Sequence, residues 1–147
     1  MSINVRIKKL DPEAVIPVYG SEQSAGADLY SRLTEDVVIE PGQTVIIRTG
    51  LSVEIPEGYA GLIYARSGLA SKKGLAPANK VGVIDSDYRG EVMVALHNHG
   101  TCPQTVSDRE RIAQLVITPV LRADFQETED LSQTDRGEGG FGSTGIK

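Results

Sequence analysis

The chain has 147 residues, 39% hydrophobic and only 5% aromatic, with a formal net charge of −5. That length corresponds to one domain, which buries ~70% of its unfolded surface and needs no disulfide or metal staple. The acidic balance and the absence of tryptophan argue against broad nucleic-acid backbone binding or base stacking on aromatic platforms. They leave open a small anion held by a few arginines and backbone N–H groups.

Cys102 is the single cysteine, so no intramolecular disulfide can form, and one thiol fits a reducing compartment. The opening MSINVRIKKL has no apolar core of a secretory leader. No apolar run approaches the ~20 residues that span a bilayer. An intracellular protein, cytoplasmic or nuclear and without membrane association, is expected.

Short runs rich in Val, Ile and Thr are spread along the chain: Asn4–Lys8, Asp36–Glu40, Thr44–Arg48, Leu51–Ile55, Tyr59–Ala65, Glu91–Leu96 and Ile112–Val120. Leu51, Val53 and Ile55 alternate with Ser52 and Glu54, the pattern of a half-buried strand. Turn signals at Pro41-Gly42, Pro56–Gly58 and Asp87–Gly90 separate the runs. Regular short strands with such turns predict an all-β sandwich or barrel. One short helix is expected over Ser67–Lys73, bounded by Gly68 and Gly74. From about Asp130 the chain becomes polar and glycine-rich and can bury little, the composition of a disordered tail. Phe141, flanked by glycines, Ser143 and Thr144, suggests a segment that orders over a ligand.

Several stretches can carry chemistry. In Ala25–Tyr30 the small residues let another chain segment pack closely against Asp28. A lone Asp after Gly is usually a turn residue, although a carboxylate there could hold Mg²⁺ through metal-bound water. Arg66-Ser67-Gly68 follows a strand and opens the helix, where free N–H groups, a guanidinium fork and a hydroxyl suit an anion. An ordinary N-cap serine beside a surface arginine is an equal reading. Val81–Glu91, VGVIDSDYRGE, reads as a buried strand (Val81, Val83, Ile84) that turns polar and leads into a second strand as a β-hairpin. Asp85, at the end of the apolar strand, would be partly desolvated and suited to a general base. An Asp-rich turn is the plainer alternative.

His97-x-His99 sits on one strand face but lacks a clear third and fourth ligand, so surface or interface histidines are the better reading. In Arg111–Leu115, Arg111 and Ala113 should face opposite to Ile112 and Gln114. The tail holds a literal G-x-G-x-x-G at Gly137, Gly139 and Gly142. The dinucleotide reading fails because no helix follows. The P-loop reading fails because Ile146 separates Gly145 from Lys147. What remains is a strip of backbone N–H groups able to approach phosphate oxygens.

Taken together, AGADLYS, Arg66-Ser67-Gly68, VGVIDSDYRGE, RIAQL and RGEGGFGSTG occur in order from residue 25 to residue 145 and resemble the five motifs of the trimeric dUTP pyrophosphatases (dUTPases). The resemblance implies a distorted jelly-roll, β-barrel-like core over residues 1–129 and a flexible tail over 130–147. It implies hydrolysis of dUTP to dUMP and pyrophosphate, limiting uracil incorporation into DNA and supplying dUMP for dTMP synthesis. Asp85 would be the general base for water attacking the α-phosphorus. Mg²⁺ would be the cofactor, tied to Asp28 through water. Arg66, Ser67, Gly68 and Gln114 would contact the phosphates.

Selectivity follows from the same resemblance. Uracil would be read by backbone at Val83 and Ile84 and by the Asn79 side chain, with Met93 lining the pocket. Tyr88 would lie beneath the deoxyribose. Phe141 would stack on the base, while Arg136, Gly142, Ser143 and Thr144 reach the terminal phosphate. The family is homotrimeric, with sites shared between subunits. The residues before Arg111 depart from the family's usual Gly-Asp, being Arg109-Glu110. Rival readings are a dCTP deaminase of the same fold, a non-catalytic binding or regulatory protein on this scaffold, and a generic carbohydrate-binding module.

Overall fold

Eleven strands and one short helix carry the regular structure of residues 2–145, which the computed structural model of the chain describes. The final two residues of the expected 130–147 tail, and with them the Ile146–Lys147 spacing of the rejected P-loop, lie outside the described residues. In chain order the strands are β1 (Arg6–Lys9), β2 (Val18–Tyr19), β3 (Ala27–Tyr30), β4 (Val37–Ile39), β5 (Thr44–Glu54) and β6 (Tyr59–Tyr64). Helix α1 (Ser67–Lys73) follows, then β7 (Leu75–Pro77), β8 (Gly82–Ile84), β9 (Glu91–Asn98), β10 (Gln104–Val106) and β11 (Arg111–Pro119).

The strands form a four-stranded sheet in the order β1-β5-β9-β7 and a five-stranded sheet in the order β2-β3-β11-β6-β8, with β10-β4 as a separate pair. All pairings are antiparallel. The inward side chains of both sheets meet in one core. Ile47, Val53, Ile55, Val92, Val94, Leu96 and Leu75 come from one sheet, and Leu29, Ile63, Ile84, Ile112 and Leu115 from the other. Ile39 and Val106 of the two-stranded pair close it. Each fully buried aliphatic side chain contributes ~1.5–3 kcal/mol. This is the all-β class expected from the alternation and the distorted jelly roll implied by the family resemblance; the sheets do not close into a barrel.

Leu51, Val53 and Ile55 are all buried, but Ser52 is buried with them, its hydroxyl donating to Arg89 O, so the expected alternation holds only in part. The two runs Thr44–Arg48 and Leu51–Ile55 belong to one strand, β5, whose pairing with β9 shifts between Arg48 and Ser52. Gly50 sits at the shift with φ +69°, a left-handed conformation that favours glycine. Helix α1 spans the expected residues. Its N-cap is Arg66 rather than Ser67, with extended backbone and no side-chain cap, and Gly74 closes it in the left-handed conformation.

The expected β-hairpin across Val81–Leu96 does not form. β8 pairs only with β6, whereas β9 pairs with β5 and β7 in the other sheet. The 85–90 connection therefore carries the chain from one sheet to the other. Of the supposedly buried residues only Ile84 is in the core; Val81 and Val83 are exposed, because β8 is the outermost strand of its sheet. Beyond Pro119 the described residues form no strand or helix.

Candidate active site

Two clusters of the predicted residues form within the chain, one past the Tyr64 end of β6 and one alongside it, between β8 and β9. The first gathers where β3, β6 and β11 run side by side. Gln114 of β11 stands opposite Asp28 of β3 and Tyr64 of β6. Its amide Nε2 donates to Ala65 O at 2.8 Å. Arg66, just past β6, donates from Nε to Asp28 Oδ1 at 2.7 Å. Arg111 Nη1 lies 3.7 Å from the other oxygen, Oδ2. Ser67 and Gly68 lie exposed beside Arg66.

The segment that the small residues around Asp28 admit is the Gln114 side chain. A Cβ at Gly26 would fall 3.0 Å from its Cδ and 3.1 Å from its Cβ, so any larger residue would displace the amide. The facing predicted for β11 is broken by a bulge between Arg111 and Ala113. Ile112 and Ala113 are both buried, and Arg111 and Gln114 both reach Asp28's side of the sheet. Arg111 thereby joins the site; strict alternation hid it.

The second cluster is a cleft of about 230 Å³ between the diverging β8 and β9. It is lined by Ile63, Asn79, Val83, Ile84, Asp85, Tyr88, Glu91 and Met93. This brings together the predicted Asn79, Val83, Ile84, Asp85, Tyr88 and Met93, and adds Glu91. The space is small enough for one ring system. Since β8 pairs only with β6, its outer backbone edge is free, and unpaired N–H and C=O groups on such an edge are obligatory hydrogen-bonding groups available to a ligand.

Asp85 itself is exposed. The expected desolvation at the strand end is absent in the single chain, because Ile84 turns inward and the next residue points out at the sheet edge. Tyr88 Oη donates to Glu91 O at 2.9 Å. The Glu91 carboxylate accepts from Gly50 N at 2.9 Å and from Arg48 Nε at 3.1 Å.

The strand register fixes the relation between the two clusters. Ile84 is level with Gly61 and Gly82 with Ile63, so Asp85 lies level with Ala60 while Arg66 lies past the other end of β6. Six residues of extended chain separate those levels by ~20 Å. Within one chain, Asp85 and the Arg66 cluster cannot hold the same phosphate.

Tail residues Arg136, Phe141, Gly142, Ser143 and Thr144 join neither cluster. The segment is held by its own turns, with Arg136 Nε donating to Gly139 O at 2.7 Å and Ser143 N to Gly140 O at 3.0 Å. Phe141 is fully exposed. His97 and His99 touch edge to face, with ring centroids 4.4 Å apart, and His97 Nδ1 is 2.8 Å from Thr44 Oγ1.

Among the described residues no group of three or more His, Cys, Asp or Glu is arranged to hold a metal ion. Asp28 offers one carboxylate already facing two guanidiniums. That donor set does not make a protein-built cage. It fits a Mg²⁺ ion carried mainly by phosphate oxygens and water, the coordination this cation favours beside one carboxylate. No helix among the described residues is long and apolar enough to cross a membrane.

Comparison with known proteins places the chain in a family. The dUTPase family model matches residues 12–145. The deoxyuridine 5'-triphosphate nucleotidohydrolase of Nautilia profundicola is 52% identical over 143 residues, covering 97% of this chain and 99% of the relative. That of Neisseria meningitidis serogroup A is 47% identical over 149 residues, covering 99% of each. Among solved structures, a mutant dUTPase of Staphylococcus bacteriophage 80alpha with dUpNHpp superposes with a TM-score of 0.90 at 31% identity, covering 99% of this chain and 100% of that one. A mutant dUTPase of phage phi11 of S. aureus, solved to describe coordination of a structural Mg(II) ion, has a TM-score of 0.79 at 27% identity, with 87% and 98% covered. The chain belongs to the dUTPase family.

Proposed function

We propose that this protein hydrolyses dUTP to dUMP and pyrophosphate, which limits uracil in DNA and supplies dUMP for dTMP synthesis inside the cell. The observation that carries the reading is the β8–β9 cleft, with its free backbone edge and with Asp85 and Tyr88 at its mouth. Uracil enters the cleft and pairs with backbone at Val83 and Ile84 and with the Asn79 amide. Met93 closes the floor, leaving no room for a thymine methyl. Tyr88 underlies the deoxyribose, where a 2′-hydroxyl would clash. Steric exclusion coupled to an unsatisfied polar group discriminates more strongly than a lost methyl contact.

Asp85 takes a proton from the water that attacks the α-phosphorus in line, and pyrophosphate leaves from the opposite side. Arg66, Ser67, Gly68 and Gln114 hold the phosphate chain. Asp28 is the carboxylate that would face Mg²⁺ on those phosphates, an ion whose charge offsets that of the leaving pyrophosphate. The 130–147 tail closes over the nucleotide, with Phe141 stacked on uracil and Arg136, Gly142, Ser143 and Thr144 at the terminal phosphate. Closure excludes water and completes the site.

The ~20 Å offset along β6 supports a homotrimer in which one subunit supplies the Arg66 cluster, the next supplies Asp85 and the third supplies the tail. Exposed Leu121 and Phe125 on the segment leading to the tail, and Leu131 at its start, favour burial against a neighbouring copy. The test is pyrophosphate release with Mg²⁺ from dUTP, dCTP, dTTP and UTP in parallel, for the native chain and for Asp85→Asn. Release from dUTP alone, lost in the variant, is expected. Ammonia release from dCTP, or no turnover of any nucleotide by folded protein, would overturn the proposal.

A further inference from the structure

We propose that Gly90 is a specificity-determining position for the sugar, acting by leaving open the space in which the Tyr88 ring lies. The inference rests on the dUTPase reading and on a contact independent of it. A Cβ built on Gly90 would stand 2.5 Å from Tyr88 Cζ and 2.9 Å from Cε2, and also against the phenolic oxygen. Such separations do not occur between real atoms, so the ring occupies the space a side chain would take. Glycine is not demanded here by the backbone, because Gly90 is not among the positive-φ glycines. Space is the requirement.

Something must move if that space is filled, and the surroundings decide what. The backbone before Gly90 is tied by Ser52 Oγ donating to Arg89 O at 2.6 Å. Arg89 Nη1 donates back to Ser86 O at 2.7 Å and to Tyr88 O at 3.0 Å. The backbone after it is the start of β9, where Glu91 is fixed through Gly50 N and Arg48. The Tyr88 ring is 42% exposed and held by a single hydrogen bond, from its hydroxyl to Glu91 O. The ring is therefore what yields: any Cβ at position 90 drives it toward solvent and breaks that bond. A ring free to swing no longer forms a wall against a 2′-hydroxyl.

The experiment compares kcat/KM for dUTP and UTP in the native chain, Gly90→Ala, Tyr88→Ala and the double variant, all as full-length protein. Gly90→Ala is expected to lower the dUTP-to-UTP ratio about tenfold. The double variant is expected to match Tyr88→Ala alone, since Gly90 acts only through the ring. A second readout needs no nucleotide: ¹⁹F NMR of 3-fluorotyrosine-labelled protein, with the Tyr88 signal assigned by Tyr88→Phe. In Gly90→Ala that signal should move toward the free fluorotyrosine position. An unchanged ratio and unchanged signal in folded Gly90→Ala would overturn the proposal, as would a further loss in the double variant. Native protein that turns over neither nucleotide would overturn the dUTPase reading instead, and the fluorine signal would still decide the Gly90–Tyr88 contact.

Discussion

Arg66 Nε meets Asp28 Oδ1 at 2.7 Å, with side-chain exposures of only 27% and 15%, and Arg111 approaches the same carboxylate from β11. One acid thus pairs with two guanidiniums. A phosphate chain arriving there would meet a preorganised fork rather than mobile side chains. Asp28→Asn keeps the shape but removes the charge that aligns Arg66. Initial-rate kinetics should show kcat/KM for dUTP falling by roughly 10²-fold, the scale of a small misplacement of binding groups. The circular dichroism spectrum should be unchanged.

Among the described residues the 134–145 segment hydrogen-bonds only within itself and to neither cluster. Ending the chain after residue 133 should therefore leave the thermal midpoint within about 2 °C of the native value, as expected when little surface is lost. Turnover of dUTP should fall by about 10²-fold or more if closure completes the site. Differential scanning fluorimetry and pyrophosphate release check the two halves.

Asn98 is buried, with 1% of its surface exposed. Its Nδ2 donates to Ile39 O and Cys102 O, and its Oδ1 accepts from Gly100 N. It ties β9 to β4 and to the turn before β10. Asn98→Ala leaves three backbone groups without partners and should cost about 2–3 kcal/mol. Urea unfolding should show a lower midpoint with an unchanged slope.

His99 is held below its ordinary value of 6.5, first by desolvation and then by the charges of His97 and Lys80. The folded chain therefore binds this proton less readily than the unfolded chain does. Stability is complete above the unfolded value, declines as pH falls below it toward the depressed folded value, and levels off beneath that. Urea midpoints at about pH 7.5 and about pH 5.5 should differ in the native chain, and His99→Gln should shrink that difference.

The long strands and α1 were legible because their apolar residues alternate and glycine or proline marks their ends. β2, β7 and β10 have two or three residues each, too few for any period to declare itself. The hairpin expectation failed for a different reason. Nothing local to VGVIDSDYRGE says that β8 will pair with β6 and β9 with β5; those are long-range choices made by the two sheets. Val83, Ile84, Asp85 and Tyr88 still line one cleft, since they lie within one motif regardless of which strand each neighbours, while Asn79 and Met93 were named by the family resemblance alone. Arg111 and Gly26 were missed as site residues. One depends on a bulge that overrides alternation, and the other on a contact with Gln114 far away in sequence. Glu91 was passed over because a charged residue opening a strand looks like surface.

Asp85 and Arg66 are set at opposite ends of β6, so in the proposed mechanism they serve one reaction only across a subunit boundary. Co-expression of differently tagged Asp85→Asn and Arg66→Ala chains, with purification of the doubly tagged assembly, tests it most directly. Each variant alone should be nearly inactive on dUTP. Every doubly tagged trimer is a two-to-one mixture, in which one of the three sites draws Arg66 from one variant and Asp85 from the other, so about a third of native activity should return. Mixed assemblies as inactive as either parent would contradict the account.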